Sequence, residues 1–70
     1  MSSKTDFILF CIENYKTYKG ITGEETVKLF LHYGVLDYLE SFYDVLHTTG
    51  YQYINNDIDI YLRARNAVEL

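Results

Sequence analysis

The side chains of this chain that could attack a substrate or hold a metal are one cysteine and two histidines, Cys11, His32 and His47. A catalytic cysteine needs a histidine as its base and a carboxylate, such as Asp44, to orient that histidine. Cys11, however, falls on the apolar face of a predicted helix, where a buried thiol is normally inert. The two histidines fall at the ends of different predicted helices, without the clustered spacing of a zinc site. We therefore predict a protein that is not an enzyme, with no catalytic residue, no bound metal and no cofactor.

A second polar cluster, residues 55–59 (NNDID), invites comparison with a calcium-binding loop. Such a loop has a glycine at its sixth position and a glutamate at its twelfth. Here those positions hold Ile60 and Asn66, so both defining residues are missing. The start of a helix explains the same residues, with one of the two asparagines as its cap and residues 51–54 extended, or with Thr49 as the cap instead.

Three carboxylates mark the segment 35–50, VLDYLESFYDVLHTTG, as the most informative stretch. Apolar residues at positions 35, 39, 42 and 46 recur with the period of a helix and predict one inward face. The carboxylates, which we call the acidic ridge, then share the outward face with no basic residue among them: Asp37, Glu40 and Asp44. The ridge is either a solvated helix face or a docking strip for lysine and arginine side chains of a partner. His47 and Tyr51, which lie further along the chain, complete the predicted partner-binding set of Asp37, Glu40, Asp44, His47 and Tyr51.

Gly34 joins two predicted helices with the spacing of a helix-turn-helix motif. The second of these helices would enter the major groove of DNA, but it carries the acidic ridge, which phosphates repel. The charge distribution agrees, because residues 20–62 carry one lysine and seven carboxylates, net −6, between two ends of net +1 each. We predict a protein partner with a basic surface and no direct binding to nucleic acid.

Four helices are predicted to position these residues, at 5–19, 22–33, 36–47 and 53–66. The apolar run FILFCI would also suit a buried strand, but the sequence continues without a breaker to Gly20, which favours a helix that ends there. Thr22 and Glu25 have the spacing of a capping box at the start of the second helix. We expect an all-α fold, a compact bundle of four short helices that forms one domain over residues 1–70, with residues 1–4 frayed.

Composition supports a compact core, since 49% of the 70 residues are hydrophobic and twelve are Tyr or Phe. A surplus of tyrosine leaves some rings near the surface, as is common at interfaces, and a homodimer is one way to cover them. A single cysteine suits a reducing compartment. The apolar run Phe7–Ile12 is too short for a signal peptide or a membrane span. We predict a cytoplasmic protein that does not bind membranes.

Most of the chain resembles a family of short bacterial proteins of unknown function, through the segments FILFCIENYK, ITGEE, KLFLHYGVLDYL, FYDVLHTTG and YINNDIDIYL. The resemblance implies an intracellular protein often encoded beside an ADP-ribosyltransferase-like protein, and no established catalytic residue. It suggests a small accessory or antitoxin-like partner. We predict a non-enzymatic protein-binding module that neutralises or regulates a basic protein. The alternatives are a phage or mobile-element inhibitor that mimics nucleic-acid charge, and a small helix-turn-helix regulator.

Overall fold

The computed structural model describes residues 3–65. Within that range it contains five helices: α1 (Ser3–Lys19), α2 (Gly23–Tyr33), α3 (Val35–Ser41), α4 (Tyr43–Leu46) and α5 (Tyr51–Ala64). No strand occurs in this part of the chain, so the all-α prediction is confirmed. Ser3 and Lys4, from the predicted frayed lead-in, are part of α1. Residues 1 and 2, and Asn66 at the end of the last predicted helix, lie outside the described residues.

The turn between α1 and α2 is built from two local motifs, both of which were predicted. Gly20 has a φ of 69°, and the amides of Gly20 and Ile21 donate to the Lys16 carbonyl at 2.9 and 3.1 Å, which ends α1. At the start of α2, the Glu25 amide donates to the Thr22 hydroxyl at 3.0 Å and the Thr22 amide donates to the Glu25 carboxylate at 2.9 Å. This capping box satisfies two amides that a helix start leaves free. The hydrogen bonds from Thr22 also lower the pKa of the Glu25 carboxyl.

The core contains nine buried apolar residues and draws on all five helices: Cys11, Tyr15, Phe30, Val35, Leu39, Leu46, Ile54, Ile58 and Leu62. Beside it, three contacts link α1 to α5 at a constant separation of 41 residues: Phe10–Tyr51, Asn14–Asn55 and Tyr18–Asp59. We call these contacts the α1/α5 seam. Because the separation is constant, α1 and α5 run side by side in the same direction.

The predicted helix 36–47 is wrong in one respect, because the structure divides it into α3 and α4 at Phe42. The backbone of Phe42 has φ −107° and ψ 20°, whereas an α-helix has values of about −63° and −42°. Val35, Leu39 and Leu46 are buried as predicted, but the Phe42 ring is 51% exposed and lies outside the inward face. Hydrophobic spacing does not reveal the break, since a period of about 3.6 residues fits Phe42 as well as its neighbours.

α5 begins at Tyr51, earlier than predicted, and the proposed side-chain caps are wrong. Gly50 precedes the helix and no side-chain hydrogen bond caps it. Both asparagines lie inside α5; Asn55 is buried and accepts a hydrogen bond from the Asn14 side chain at 3.2 Å. The Thr49 hydroxyl donates to a carbonyl near the end of α4 instead. An asparagine suits a helix start locally, but here its amide is used in a contact between two helices.

Candidate protein-binding site

The acidic ridge crosses the break between α3 and α4, with Asp37 and Glu40 on α3 and Asp44 on α4. All three residues are exposed. Within residues 3–65, no ion pair joins any of them to a basic side chain. The three predicted carboxylates thus lie on the surface, but the break distributes them over two short helices instead of one.

Four other carboxylates of the described residues have partners within the molecule. Three form ion pairs: Glu13 with Lys16 at 3.0 Å, Glu24 with Lys28 at 3.2 Å and Asp59 with Lys19 at 3.2 Å. Glu25 belongs to the capping box of α2. The acidic ridge differs from these groups because its charges are not compensated by a side chain of the described part of the chain.

The other two residues of the predicted partner-binding set, His47 and Tyr51, contact aromatic rings. The His47 ring stacks on Tyr43 with 4.3 Å between ring centroids, and its Nδ1 lies 2.7 Å from the Tyr43 carbonyl oxygen. The Tyr51 ring meets Phe10 of α1 edge-on at 5.9 Å. Both residues are exposed, so their place in a binding site stays a prediction, separate from the charge of the ridge.

An aromatic stack that the sequence interpretation did not include crosses from α3 to α5. Ring centroids of Phe42 and Tyr38 are 5.2 Å apart, and those of Tyr38 and Tyr61 are 4.6 Å apart. The Arg65 guanidinium lies 3.5 Å from the centroid of the Tyr61 ring. The Tyr61 hydroxyl donates to the Gly34 carbonyl at 3.2 Å, which fixes the stack against the turn between α2 and α3. A signal was present in the sequence, since Tyr38 and Phe42 are spaced four apart at the end of α3, and Tyr61 and Arg65 are spaced four apart at the end of α5.

Burial affects the chemistry of the aromatic stack. Tyr38 is half-buried, and desolvation is the main cause that raises the pKa of its phenol. The negative charge of Asp57 on α5 adds to the same shift. Ionisation of the Tyr38 phenol is therefore disfavoured, and this ring stays neutral at physiological pH.

Asp59 is the buried centre of a polar cluster, here called the Asp59 clasp, that joins α1 to α5 and consists of Asp59, Tyr15, Tyr18 and Lys19. Its carboxylate is 4% exposed and accepts hydrogen bonds from the Tyr15 hydroxyl at 2.5 Å and the Tyr18 hydroxyl at 3.1 Å. The Lys19 ammonium lies 3.2 Å away and supplies the opposite charge. Burial, and then the hydrogen bond to Asp59, raise the pKa of Tyr15 well above its ordinary value. Because these groups satisfy one another, the clasp stabilises the fold and is not an open chemical site.

The remaining reactive group is Cys11, whose side chain is buried in the core. Burial raises the pKa of its thiol to about 12, so the nucleophilic thiolate is scarce at neutral pH. Among residues 3–65, no group of three His, Cys, Asp or Glu side chains is arranged to hold a metal ion. No helix in the described range is both long and apolar enough to cross a membrane.

Comparison with known protein families identifies a match. The family model described as "Protein of unknown function (DUF3791)" matches residues 6–65. That range includes the acidic ridge, the aromatic stack and the Asp59 clasp. No curated protein and no solved structure matches the chain.

Proposed function

Because this chain belongs to the DUF3791 family, whose function is unknown, we propose a function from its surface: a non-enzymatic module that binds a basic partner protein. The acidic ridge is the observation that carries the proposal, since its three carboxylates are exposed and unpaired within residues 3–65. Exposed, uncompensated charges attract a partner of opposite sign and accelerate its association. The net charge of −4 acts in the same direction.

The family resemblance suggests the first partner to examine. It implies a bacterial, cytoplasmic protein encoded beside an ADP-ribosyltransferase-like protein, and an antitoxin-like or accessory role suits a small module that covers a basic surface. Support for a binding role also comes from the interior, where the Cys11 thiol is buried and the Asp59 clasp is satisfied. Neither feature offers a reactive group to a substrate.

Charge mimicry of nucleic acid is a second candidate, because the same carboxylates would replace phosphates in the groove of a nucleic-acid-binding protein. Regulation through a helix-turn-helix has less support. α3 occupies the position of the recognition helix, and its exposed Asp37 and Glu40 would face DNA phosphates of like charge.

Charge reversal of the ridge is the experiment that tests the proposal. The variant Asp37→Lys, Glu40→Lys, Asp44→Lys is expected to bind the purified ADP-ribosyltransferase-like neighbour at least about tenfold more weakly than the wild type, since exposed ion pairs contribute up to about 1 kcal/mol each. Isothermal titration calorimetry at low and high salt measures the affinity, and the wild-type affinity is expected to fall with salt.

A matched control carries the same change in net charge elsewhere: Asp6→Lys, Glu13→Lys, Glu24→Lys. These three side chains are also exposed, so the control separates the ridge from a general effect of net charge. Circular dichroism verifies that both variants keep the helical fold. Equal affinities for the ridge variant, the control and the wild type would mean that the acidic ridge is only a solvated helix face and does not bind the partner.

A further inference from the structure

Phe42 interrupts the helical segment at the centre of the acidic ridge. Glu40 precedes it by two residues and Asp44 follows it by two, and all three side chains are exposed. Residues 40–44 contain neither glycine nor proline, the usual causes of such a break. Burial of a phenylalanine side chain stabilises a fold. The fold nevertheless leaves about half of the Phe42 side chain in solvent, in a segment that carries an exposed carboxylate two residues before it and another two residues after it.

One ring of the aromatic stack already binds a guanidinium group of the chain itself. At one end, the Arg65 guanidinium lies 3.5 Å from the centroid of the Tyr61 ring, within the range of a cation–π contact. Phe42 forms the other end and is 51% exposed. Within residues 3–65, no lysine or arginine lies over the Phe42 ring. One end of the stack is thus covered by a guanidinium of the chain itself, and the other end is open.

We propose that Phe42, with Glu40 and Asp44, is the docking site for an arginine side chain of the partner protein. A guanidinium is planar, so it can stack on the Phe42 ring while its N–H groups donate to a carboxylate beside it. A lysine ammonium is a more strongly hydrated point charge and stacks less favourably. The proposal rests on the proposed function and deepens it, because it names an arginine-bearing segment as the part of the partner that the ridge binds.

Charge complementarity selects this occupant. Residues 20–62, which include the whole site, have a net charge of −6, and such a surface repels nucleic acid and anionic membranes while it attracts a cationic segment. A second copy of the chain is the competing occupant. It carries the same net charge of −4, so the two copies repel each other at long range.

Three synthetic peptides test the proposal directly. They share one length and one alanine-rich background, and they carry arginine, lysine or citrulline at the same positions; citrulline keeps the planar shape of arginine without its charge. Isothermal titration calorimetry at low salt measures the affinity of the wild-type protein for each peptide. We expect the arginine peptide to bind about threefold more tightly than the lysine peptide, and the citrulline peptide to show no measurable binding.

Phe42→Leu is the decisive variant, and Phe10→Leu is its matched control. Both phenylalanines are about half exposed, at 51% and 48%, but Phe10 lies on the α1/α5 seam. We expect Phe42→Leu to bind the arginine peptide no more tightly than the lysine peptide, whereas Phe10→Leu retains the arginine preference. Circular dichroism of both variants confirms that the helices are retained.

Three results would overturn the proposal: equal binding of the arginine and lysine peptides by the wild type, an arginine preference that survives in Phe42→Leu, or a dimer in sedimentation velocity that Phe42→Leu abolishes. The two proposals fail separately. Loss of peptide binding on ridge reversal, with the arginine preference intact in Phe42→Leu, retains the acidic ridge and overturns the role of Phe42. Full binding of the lysine peptide after ridge reversal overturns the ridge as the docking face.

Discussion

The Asp59 clasp and the acidic ridge place carboxylates of the same chain in opposite settings. Asp59 is 4% exposed, and its charge is compensated by Lys19 and by two tyrosine hydroxyls. The three carboxylates of the ridge are exposed and have no basic partner within residues 3–65. The Asp59 carboxylate holds α1 and α5 together, so its removal should lower the free energy of unfolding. The ridge carboxylates add little to folding, so their loss should appear in binding.

Removing the buried carboxylate is expected to have the largest effect. Asp59→Ala leaves Lys19 and the buried Tyr15 hydroxyl without their acceptor, which should lower the free energy of unfolding by about 3 kcal/mol. Urea denaturation followed by circular dichroism measures the change. Asp57→Ala, on the same helix, serves as the control and should change stability by less than about 0.5 kcal/mol. Similar losses in the two variants would show that Asp59 has no special role in holding α1 and α5 together.

Raising the pH is expected to lower the free energy of unfolding gradually, through the Tyr15 hydroxyl of the Asp59 clasp. Unfolded tyrosine ionises near its ordinary pKa of about 10, whereas burial and the hydrogen bond to Asp59 keep Tyr15 protonated in the folded state above that pH. Above about pH 10 the unfolded state therefore binds fewer protons than the folded state, and stability falls as pH rises. The slope from Tyr15 alone approaches about 1.4 kcal/mol per pH unit.

Urea denaturation over a series of alkaline pH values measures this slope, and Tyr15→Phe is the variant that should flatten it. Cys11 contributes with the same sign, since its pKa is raised to about 12 in the folded state, so a residual slope is expected in Tyr15→Phe. An identical slope in Tyr15→Phe and the wild type would show that the pKa of Tyr15 does not differ between the folded and unfolded states.

Neutralising the ridge is expected to have the smallest effect on stability. The variant Asp37→Asn, Glu40→Gln, Asp44→Asn should change the free energy of unfolding by less than about 0.5 kcal/mol, because exposed charges without partners contribute little to folding. The same urea assay at neutral pH measures it. A loss of more than about 2 kcal/mol, comparable with that of a buried pair, would mean that the ridge is needed for folding and would remove the distinction between the two regions.

The features that the sequence predicts well are those whose residues lie a few positions apart. Gly20 ends α1, and Thr22 with Glu25 forms the capping box, because each motif is complete within one turn of chain. The all-α class is confirmed for the same reason, since helical periodicity is a local property. The match to a family of unknown function confirms the coarser part of the resemblance.

What the sequence does not predict depends on distant contacts. Asp59 has the pattern of an ordinary polar residue near a helix start, but its hydroxyl donors, Tyr15 and Tyr18, lie 44 and 41 positions away. The break at Phe42 is equally hidden, because the residue keeps the helical period while its ring leaves the core. The ridge carboxylates are exposed, as either interpretation of the ridge requires, so their role in binding stays a prediction.

The shared direction of α1 and α5 has a mechanical consequence. In a side-by-side pair of this kind, the first residue of α1 and the last residue of α5 lie at opposite ends. A force that pulls these two ends apart acts along the α1/α5 seam and loads its three contacts together in shear, rather than opening them one after another. Slippage by one turn would place the Phe10 ring against the Asn55 amide and would separate the Tyr18 hydroxyl from Asp59. The ring contact at one end of the α1/α5 seam and the hydrogen bond to Asp59 at the other therefore both oppose sliding of the two helices.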